Sequence, residues 1–374
     1  MEYYFINKLR RIGMNHSITN RQIAFMIFAV VVGYGIINLP NTTAAEVGTG
    51  AWIPIAINTI IVAIFTYFIS YLGYSHENQT LFEYGQKLVG KKLGKLIIII
   101  YIIYFIFLLS YLVRSYSEIV TSIFLQKTPV WAISIFLLLV VSYGLTKDLK
   151  TIARVTEIYI FLVIIGFVFI QIIVATQGKI VNIRPILGVE DIMTYAKASF
   201  ELFLPFIGLE IIMFIPLNKK INKSIIKYSI LSIVFIGLLY IFVIESTISV
   251  VGVEDIIRYD VSVFKVLKGI DLPYLEVLKR LDGFYVIFWT MNLFCDVYIV
   301  SYLILKQSEK FFKKISPNII IFIVIAIVFI LSQIPKTPSE IRMLPTIAKN
   351  LGIITLMIIP LILFIAMKVK KNDK

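Results

Sequence analysis

Ten runs of about 20 mostly apolar residues follow one another along this chain, with no long polar block between them. They fall at roughly 20–46, 50–74, 96–125, 129–145, 149–176, 194–217, 224–251, 281–305, 317–334 and 343–367. Backbone inside hydrocarbon must satisfy its own N–H and C=O groups, which a helix does within one segment. The pattern predicts an all-α integral membrane protein with ten transmembrane helices in a single membrane domain, residues 20–367. The third and fifth runs exceed the bilayer and must tilt or protrude, and the fourth is short. Apolar residues make up 59% of the chain and charged ones only 16%. Soluble domains sit near ~45–50% and ~25%, so a soluble enzyme, a disordered chain and a fibre are excluded.

The formal net charge of +14 would point to nucleic acid in a soluble protein. Here the placement of the charges decides. Across ten spans, about twice as many basic residues fall on the side that carries both tails as on the other. That alternation predicts a cytoplasmic amino tail (1–19) and a cytoplasmic basic carboxyl tail (368–374). It assigns the charge to topology, with the lipid bilayer as partner and no nucleic acid. The amino tail lacks the apolar core of a secretory signal, and Ser17, Thr19 and Asn20 offer helix caps before the first run. The single cysteine, Cys295, makes no disulfide framework. His16 and His76 lie far apart, so no metal site is expected, and no cofactor motif occurs. Residues Gly85 to Lys92 nearly spell a phosphate-binding loop, but Lys92 stands where a hydroxyl must hold magnesium, and no strand precedes it. Residues 80–94 read instead as a basic amphipathic segment lying on anionic lipid. No catalytic acid pair or triad is found, and enzyme activity is not expected.

Two of the ten runs are interrupted. The first contains Gly33-Tyr34-Gly35-Ile36-Ile37-Asn38-Leu39-Pro40, and the sixth contains Pro205-Phe206-Ile207-Gly208-Leu209-Glu210. Glycine and proline weaken a helix in mid-membrane. Runs one and six correspond if the chain is two five-helix halves, about 20–176 and 194–367, of inverted topology. Paired interruptions of this kind point to a transporter-type binding site. Broken helix ends offer free N–H groups on one side and free C=O groups on the other. A small zwitterion matches both, its carboxylate on the N–H end and its ammonium on the C=O end.

These breaks, with Arg280-Leu281-Asp282 and Trp289 around the eighth run, resemble the spore germination B subunits. Those are the endospore germination permeases of the amino acid–polyamine–organocation superfamily. The resemblance covers nearly the whole chain. It implies a leucine-transporter-like 5+5 inverted repeat with discontinuous helices 1 and 6. It also implies partnership with A and C subunits of a nutrient germinant receptor, in the spore inner membrane, and a small germinant such as an L-amino acid.

Candidate ligand-binding residues are Gly33, Tyr34, Gly35 and Ile36 at the first break and Phe206, Ile207 and Gly208 at the second. Tyr104, Leu108 and Tyr111 form one stripe on the third run, and Leu108 and Tyr111 are taken as pocket walls. Thr290 and Phe294 of the eighth run are taken as the opposite wall. Ionisable groups inside a membrane are functional candidates by default. Arg114 and Glu118, four apart, read as a self-satisfied pair near the outer interface. Glu201 and Glu210 flank the second break. Glu210 either answers Arg114, caps freed N–H groups or meets a ligand amine, and a structural role is the reading taken. Asp282 and Asp296 complete the structural or coupling set. Three functions compete: a ligand sensor that signals to partner subunits, a proton-coupled amino-acid permease, and a structural receptor subunit with a vestigial pocket. The eighth run lacks adjacent Ser/Thr pairs, which argues against sodium coupling.

Overall fold

The computed structural model describes residues 18–33, 35–188, 191–259, 261–270 and 280–372. Every regular element among them is helical. The first helix, α1 (Asn20–Val32), starts at one of the offered caps. The Thr19 hydroxyl accepts the Gln22 N–H, and the Gln22 side chain accepts the Thr19 N–H. After a 52° bend the chain resumes as α2 (Gly35–Val47). Then come α3 (Trp52–Ser75), α4 (Leu81–Val89), α5 (Lys91–Ile123), α6 (Val130–Gly144) and α7 (Leu149–Thr176). Gly90, at φ 90°, makes the corner that separates α4 from α5.

The sixth expected run is not one α-helix. After α8 (Ile192–Glu201) the chain passes through two 3₁₀ stretches, Leu204–Phe206 and Leu209–Phe214. The cause is local. Pro205 lacks an N–H, and Gly208 holds φ 109°, a left-handed value closed to most side chains. Regular helix returns at α9 (Ile225–Val251). It is followed by α10 (Ser262–Gly269), α11 (Leu281–Phe311), α12 (Pro317–Gln333) and α13 (Pro338–Ile353). A π-helical turn, Ile354–Ile358, joins α13 to α14 (Ile359–Asn372).

Among the described residues six helices, with α13, the π turn and α14 counted as one, are long and apolar enough to cross a membrane, and the bent α1–α2 pair makes a seventh if counted as one span. Three shorter apolar helices remain: α6, α12 and Leu204–Phe214. At 1.5 Å per residue, α6 reaches only about 22 Å and α12 about 25 Å, short of a ~30 Å hydrocarbon core. Burial is arranged for a lipid solvent. Phe136 and Phe322 are 72% and 73% exposed on apolar outer faces, while Asn292, Asp296 and Glu210 are buried inside. That is the reverse of a water-soluble surface. At the centre α1 packs against α7, α9 and α11, and the 3₁₀ stretches lean on α1, α3 and α13.

Of the basic segment at 80–94, residues 91–94 begin α5, while Leu81–Val89 folds as α4, an amphipathic helix that buries Leu81, Tyr84 and Leu88. Its capping box pairs Thr80 with Glu83. Lys310, near the end of α11, reaches both residues, at 2.7 Å to the Thr80 hydroxyl and 2.5 Å to Glu83. Burial by itself raises the Glu83 carboxyl, but the bonds from Lys310 and Thr80 outweigh it and hold the group below its ordinary value.

Candidate functional site

The two interruptions meet. Two glycines allow the contact, because each leaves space that a Cβ would fill. A Cβ on Gly35 would lie 2.8 Å from Cβ of Pro205, and one on Gly208 would lie 2.5 Å from Cγ1 of Val30. Real Cβ contacts are essentially never so short, so side chains at these two positions would push the breaks apart. Gly33 instead makes room for α11: a Cβ there would lie 2.1 Å from Oδ2 of Asp296.

The last carbonyls of α1 have no partner within their own helix. Side chains from α9 and α11 supply one each. Asn292 Nδ2 donates to the Ala29 carbonyl at 3.2 Å, Tyr240 Oη to Val31 at 2.8 Å, and Trp289 Nε1 to Gly33 at 2.9 Å. The Tyr240 hydroxyl also lies 3.0 Å from the Pro205 carbonyl at the second break. Phe206 packs edge-on against the Tyr240 ring, with centroids 5.5 Å apart.

The second break is satisfied partly from outside, by Asn58 of α3, whose Nδ2 donates to the Ser199 and Leu202 carbonyls at 2.9 and 3.1 Å, and partly from within. Glu210 is fully buried, and its Oε2 accepts the Gly208 N–H at 3.0 Å. Of the three roles open to Glu210, this one is the cap on a freed N–H. The Tyr104 side chain lies within interacting range of the Glu210 carboxyl. Arg114 is answered elsewhere. Its Nε lies 2.7 Å from Glu118 and its Nη1 is 3.3 Å from the Ser332 carbonyl. Glu201, at the end of α8, pairs with Lys349. Asp282, at the start of α11, is 3.4 Å from Arg280 Nε, at the far end of that helix from Asp296.

Between the breaks lies a small cavity of about 30 Å³, the room of a single water. Gly35, Leu108, Tyr111, Pro205, Ile207 and Asp296 are among its walls. Asp296 is buried, and its Oδ1 has no hydrogen-bond partner among the described residues. A carboxylate oxygen in that state is costly unless something meets it. Asp296 thus stands at the carbonyl end of α1, a position where negative charge gathers and a cation is favoured.

The structure brings together Gly33, Gly35, Leu108, Tyr111, Phe206, Ile207, Gly208, Glu210 and Asp296. Ile36 is buried at the start of α2. Tyr34 lies outside the described residues. Thr290 and Phe294 are not at the breaks. They line a separate cavity of about 260 Å³ with Tyr116, Phe136 and Tyr159, on the opposite side of α11. Helical geometry gives the reason: Trp289, Asn292 and Asp296, at i, i+3 and i+7, share the face turned to α1, and Thr290 and Phe294 do not. The expected wall was placed on the wrong face. Trp289, Asn292 and Tyr240 were missed as partners of the broken helix, although Trp289 had drawn notice as part of a motif. The polar stripe 289, 292, 296 in an apolar run was the available signal. Among the described residues no group of three or more metal-ligating side chains occurs.

Known proteins resemble the chain in sequence and in shape. It is 27% identical to spore germination protein YndE of Bacillus subtilis, over 96% of this chain and 98% of that protein. Spore germination protein A2 of the same organism is 25% identical over 91% and 93% of the two chains. Among solved structures, MhsT in complex with L-phenylalanine superposes with a TM-score of 0.64, covering 92% of this chain at 11% identity. Mhp1, a nucleobase-cation-symport-1 family transporter in a closed conformation, does so with a TM-score of 0.61 over 91% of the chain, also at 11% identity. At that identity the likeness is one of fold, and the fold is that of the leucine-transporter-like carriers. A profile of the spore permease family, described as spore germination protein, matches residues 17–341, and the chain belongs to that family.

Proposed function

We propose that the chain is the membrane subunit of a nutrient germinant receptor and that it binds a small zwitterion, such as an L-amino acid, between the two breaks. In this reading it crosses the spore inner membrane ten times as two inverted five-helix halves, with both tails cytoplasmic. The domain runs over residues 20–367, and A and C subunits receive its signal. The observation that carries the binding site is the buried, unpartnered Oδ1 of Asp296 in the cavity between the breaks. The ligand ammonium meets Asp296, and its carboxylate meets the free N–H groups that begin α2 at Gly35. Gly33, Ile36, Leu108, Tyr111, Phe206, Ile207 and Gly208 set the walls and the spacing. MhsT, which shares the fold, was solved with L-phenylalanine bound.

A cavity of about 30 Å³ holds no amino acid. Binding therefore requires the breaks to separate, so the ligand favours an arrangement other than this one. That differential affinity is what a sensor needs, because a ligand with equal affinity for both states shifts neither. Calorimetry on the purified chain with a panel of L-amino acids and their deaminated analogues tests the reading. Binding that needs the amine and is lost in Asp296→Asn, at unchanged protein abundance, is the expected result. Binding that is indifferent to the amine or to Asp296 defeats it. No binding at all favours the vestigial pocket. The second reading, a proton-coupled permease, draws on the two buried carboxylates Glu210 and Asp296 in one junction. Concentrative uptake by the chain alone in proteoliposomes would select it over the sensor.

A further inference from the structure

At the end of the bundle where α1 begins, a second cavity opens with a different chemistry. It measures about 610 Å³ and is formed by the ends of α3 and α14, by α4 and by the segment before α9. Lys87, Lys219, Lys368 and Lys370 line it together with Tyr71 and His76. None of the four lysines pairs with a carboxylate among the described residues. Two neighbouring carboxylates are already engaged: Glu77 accepts the backbone N–H of Lys219 at 3.1 Å, and Glu83 holds Lys310. Lys368 lies over the Tyr71 and Phe364 rings, 5.6 and 5.5 Å from their centroids, and Lys370 donates to the Lys87 carbonyl at 2.7 Å. His76 adds no charge at neutral pH. Burial, with Lys87 and Lys219 beside it, pushes its imidazole below the ordinary value.

Four lysines converging on one cavity without an anion repel each other, which needs a reason. The neighbouring surface supplies one. The Tyr71 ring stacks on Tyr67 at 5.9 Å. Tyr67 in turn closes the near end of an apolar groove of about 560 Å³ between α3 and α9, walled by Ala56, Ile60, Ala63, Ile64, Val234 and Leu238. A basic cavity at a helix-end level and an apolar groove running down the helices from its edge match one amphiphile. Its head is an anionic phosphate and its tail is a hydrocarbon chain. Basic pockets between membrane helices bind anionic lipid headgroups.

We propose that the cavity lined by Lys87, Lys219, Lys368 and Lys370 binds the phosphate headgroup of an anionic phospholipid, with one acyl chain lying in the α3–α9 groove. The lipid bridges α3, α4, α9 and α14, elements that flank the second break on both sides in the chain. It is a bound component distinct from the bulk bilayer and from any ligand at the breaks.

The full chain, purified in neutral detergent, is incubated with equal amounts of phosphatidylglycerol and phosphatidylcholine and examined by native mass spectrometry. Retention of phosphatidylglycerol over phosphatidylcholine is expected. The Lys87→Gln/Lys219→Gln/Lys368→Gln/Lys370→Gln variant loses that preference by about ten-fold or more. The Lys91→Gln/Lys92→Gln/Lys313→Gln/Lys314→Gln variant, which removes equal charge outside the cavity, retains it. All eight lysines are surface groups, so both variants keep the fold, and a matching thermal melt verifies this. Equal losses in the two variants reduce the effect to diffuse surface charge and overturn the site. Displacement by inorganic phosphate at concentrations comparable to the lipid overturns the lipid and leaves a free-anion site. Ala63→Trp fills the groove. If it leaves lipid retention unchanged, the acyl chain does not lie there and that half of the proposal fails.

Discussion

The two interruptions solve one problem in opposite ways. At the first, two regular helices survive on either side of a short gap with a 52° bend. At the second, regular helix is absent from Leu202 to Ser224. The sequence difference lies in the residues at the junction. The first has glycines there, while its proline, Pro40, sits farther along inside α2. The second has Pro205 at the junction itself and Gly208 in a left-handed conformation. Their polar groups are also met differently. Carbonyls of the first break are held from outside by Asn292, Tyr240 and Trp289. The second caps its Gly208 N–H through its own Glu210, and takes outside donors for its carbonyls from Asn58 and Tyr240.

The sharpest way to break this comparison is to substitute its glycines. Gly208→Val combines a left-handed backbone with a clash on Val30, and the two costs together reach about 3 kcal/mol or more. Thermal unfolding in detergent should show a large loss. Gly35→Val meets only Pro205 and should cost about 1–3 kcal/mol. Equal melting temperatures for the two variants would remove the asymmetry. Next in size is the pair Tyr240→Phe and Trp289→Phe, each expected to destabilise by about 1–3 kcal/mol through carbonyls left unmet in the interior. Only Tyr240→Phe should raise hydrogen exchange at both breaks. Exchange confined to residues 29–33 in that variant would mean that Tyr240 serves the first break alone.

Asp296→Asn should weaken binding of an amine-bearing ligand by about ten-fold to a hundred-fold, the worth of a charged hydrogen bond. Its effect on stability should be small, since Asp296 Oδ1 has no hydrogen-bond partner among the described residues to lose. A large fall in stability instead would make Asp296 a scaffold for Gly33. The smallest effect is expected far from both breaks and sets the floor. Glu83 is held below its ordinary value of 4.5. Its contribution is therefore present above that pH and fades as pH falls through the depressed value. Because the group is partly exposed, the contribution is at most about 1 kcal/mol. Acid melts of wild type and Glu83→Gln should converge below pH ~4 and differ slightly above ~5. A constant gap across that range would mean that the carboxyl is not depressed.

Much of this was legible in the chain because the signals were local. Glycine and proline announce a break wherever they stand, and Thr19, one of three offered caps, does begin α1. The Arg114–Glu118 pair follows from spacing alone. What escaped depends on how each helix is rotated about its axis. Thr290 and Phe294 were chosen as a wall on chemical grounds, but the polar side chains Asn292 and Asp296 fix the inward face of α11, since burial of polar groups needs partners. Tyr240 carried no mark, being one of 21 tyrosines in the chain, and its importance arises only from meeting both breaks. Nor does apolarity measure length. The runs at 129–145 and 317–334 look like spans, yet α6 and α12 are only about 22 and 25 Å long, and how they sit in lipid depends on their neighbours.

The Tyr240 hydroxyl has a further consequence. It sits within hydrogen-bond reach of two carbonyls, Val31 and Pro205, but carries one proton. While the breaks touch, rotation about the phenolic C–O bond can direct that proton to either carbonyl. Once they part by more than about an ångström, it must stay with one side. The junction then behaves like a bolt with two keepers, thrown to one or the other and never half way. Separation of the breaks is on this account a discrete event rather than a graded one.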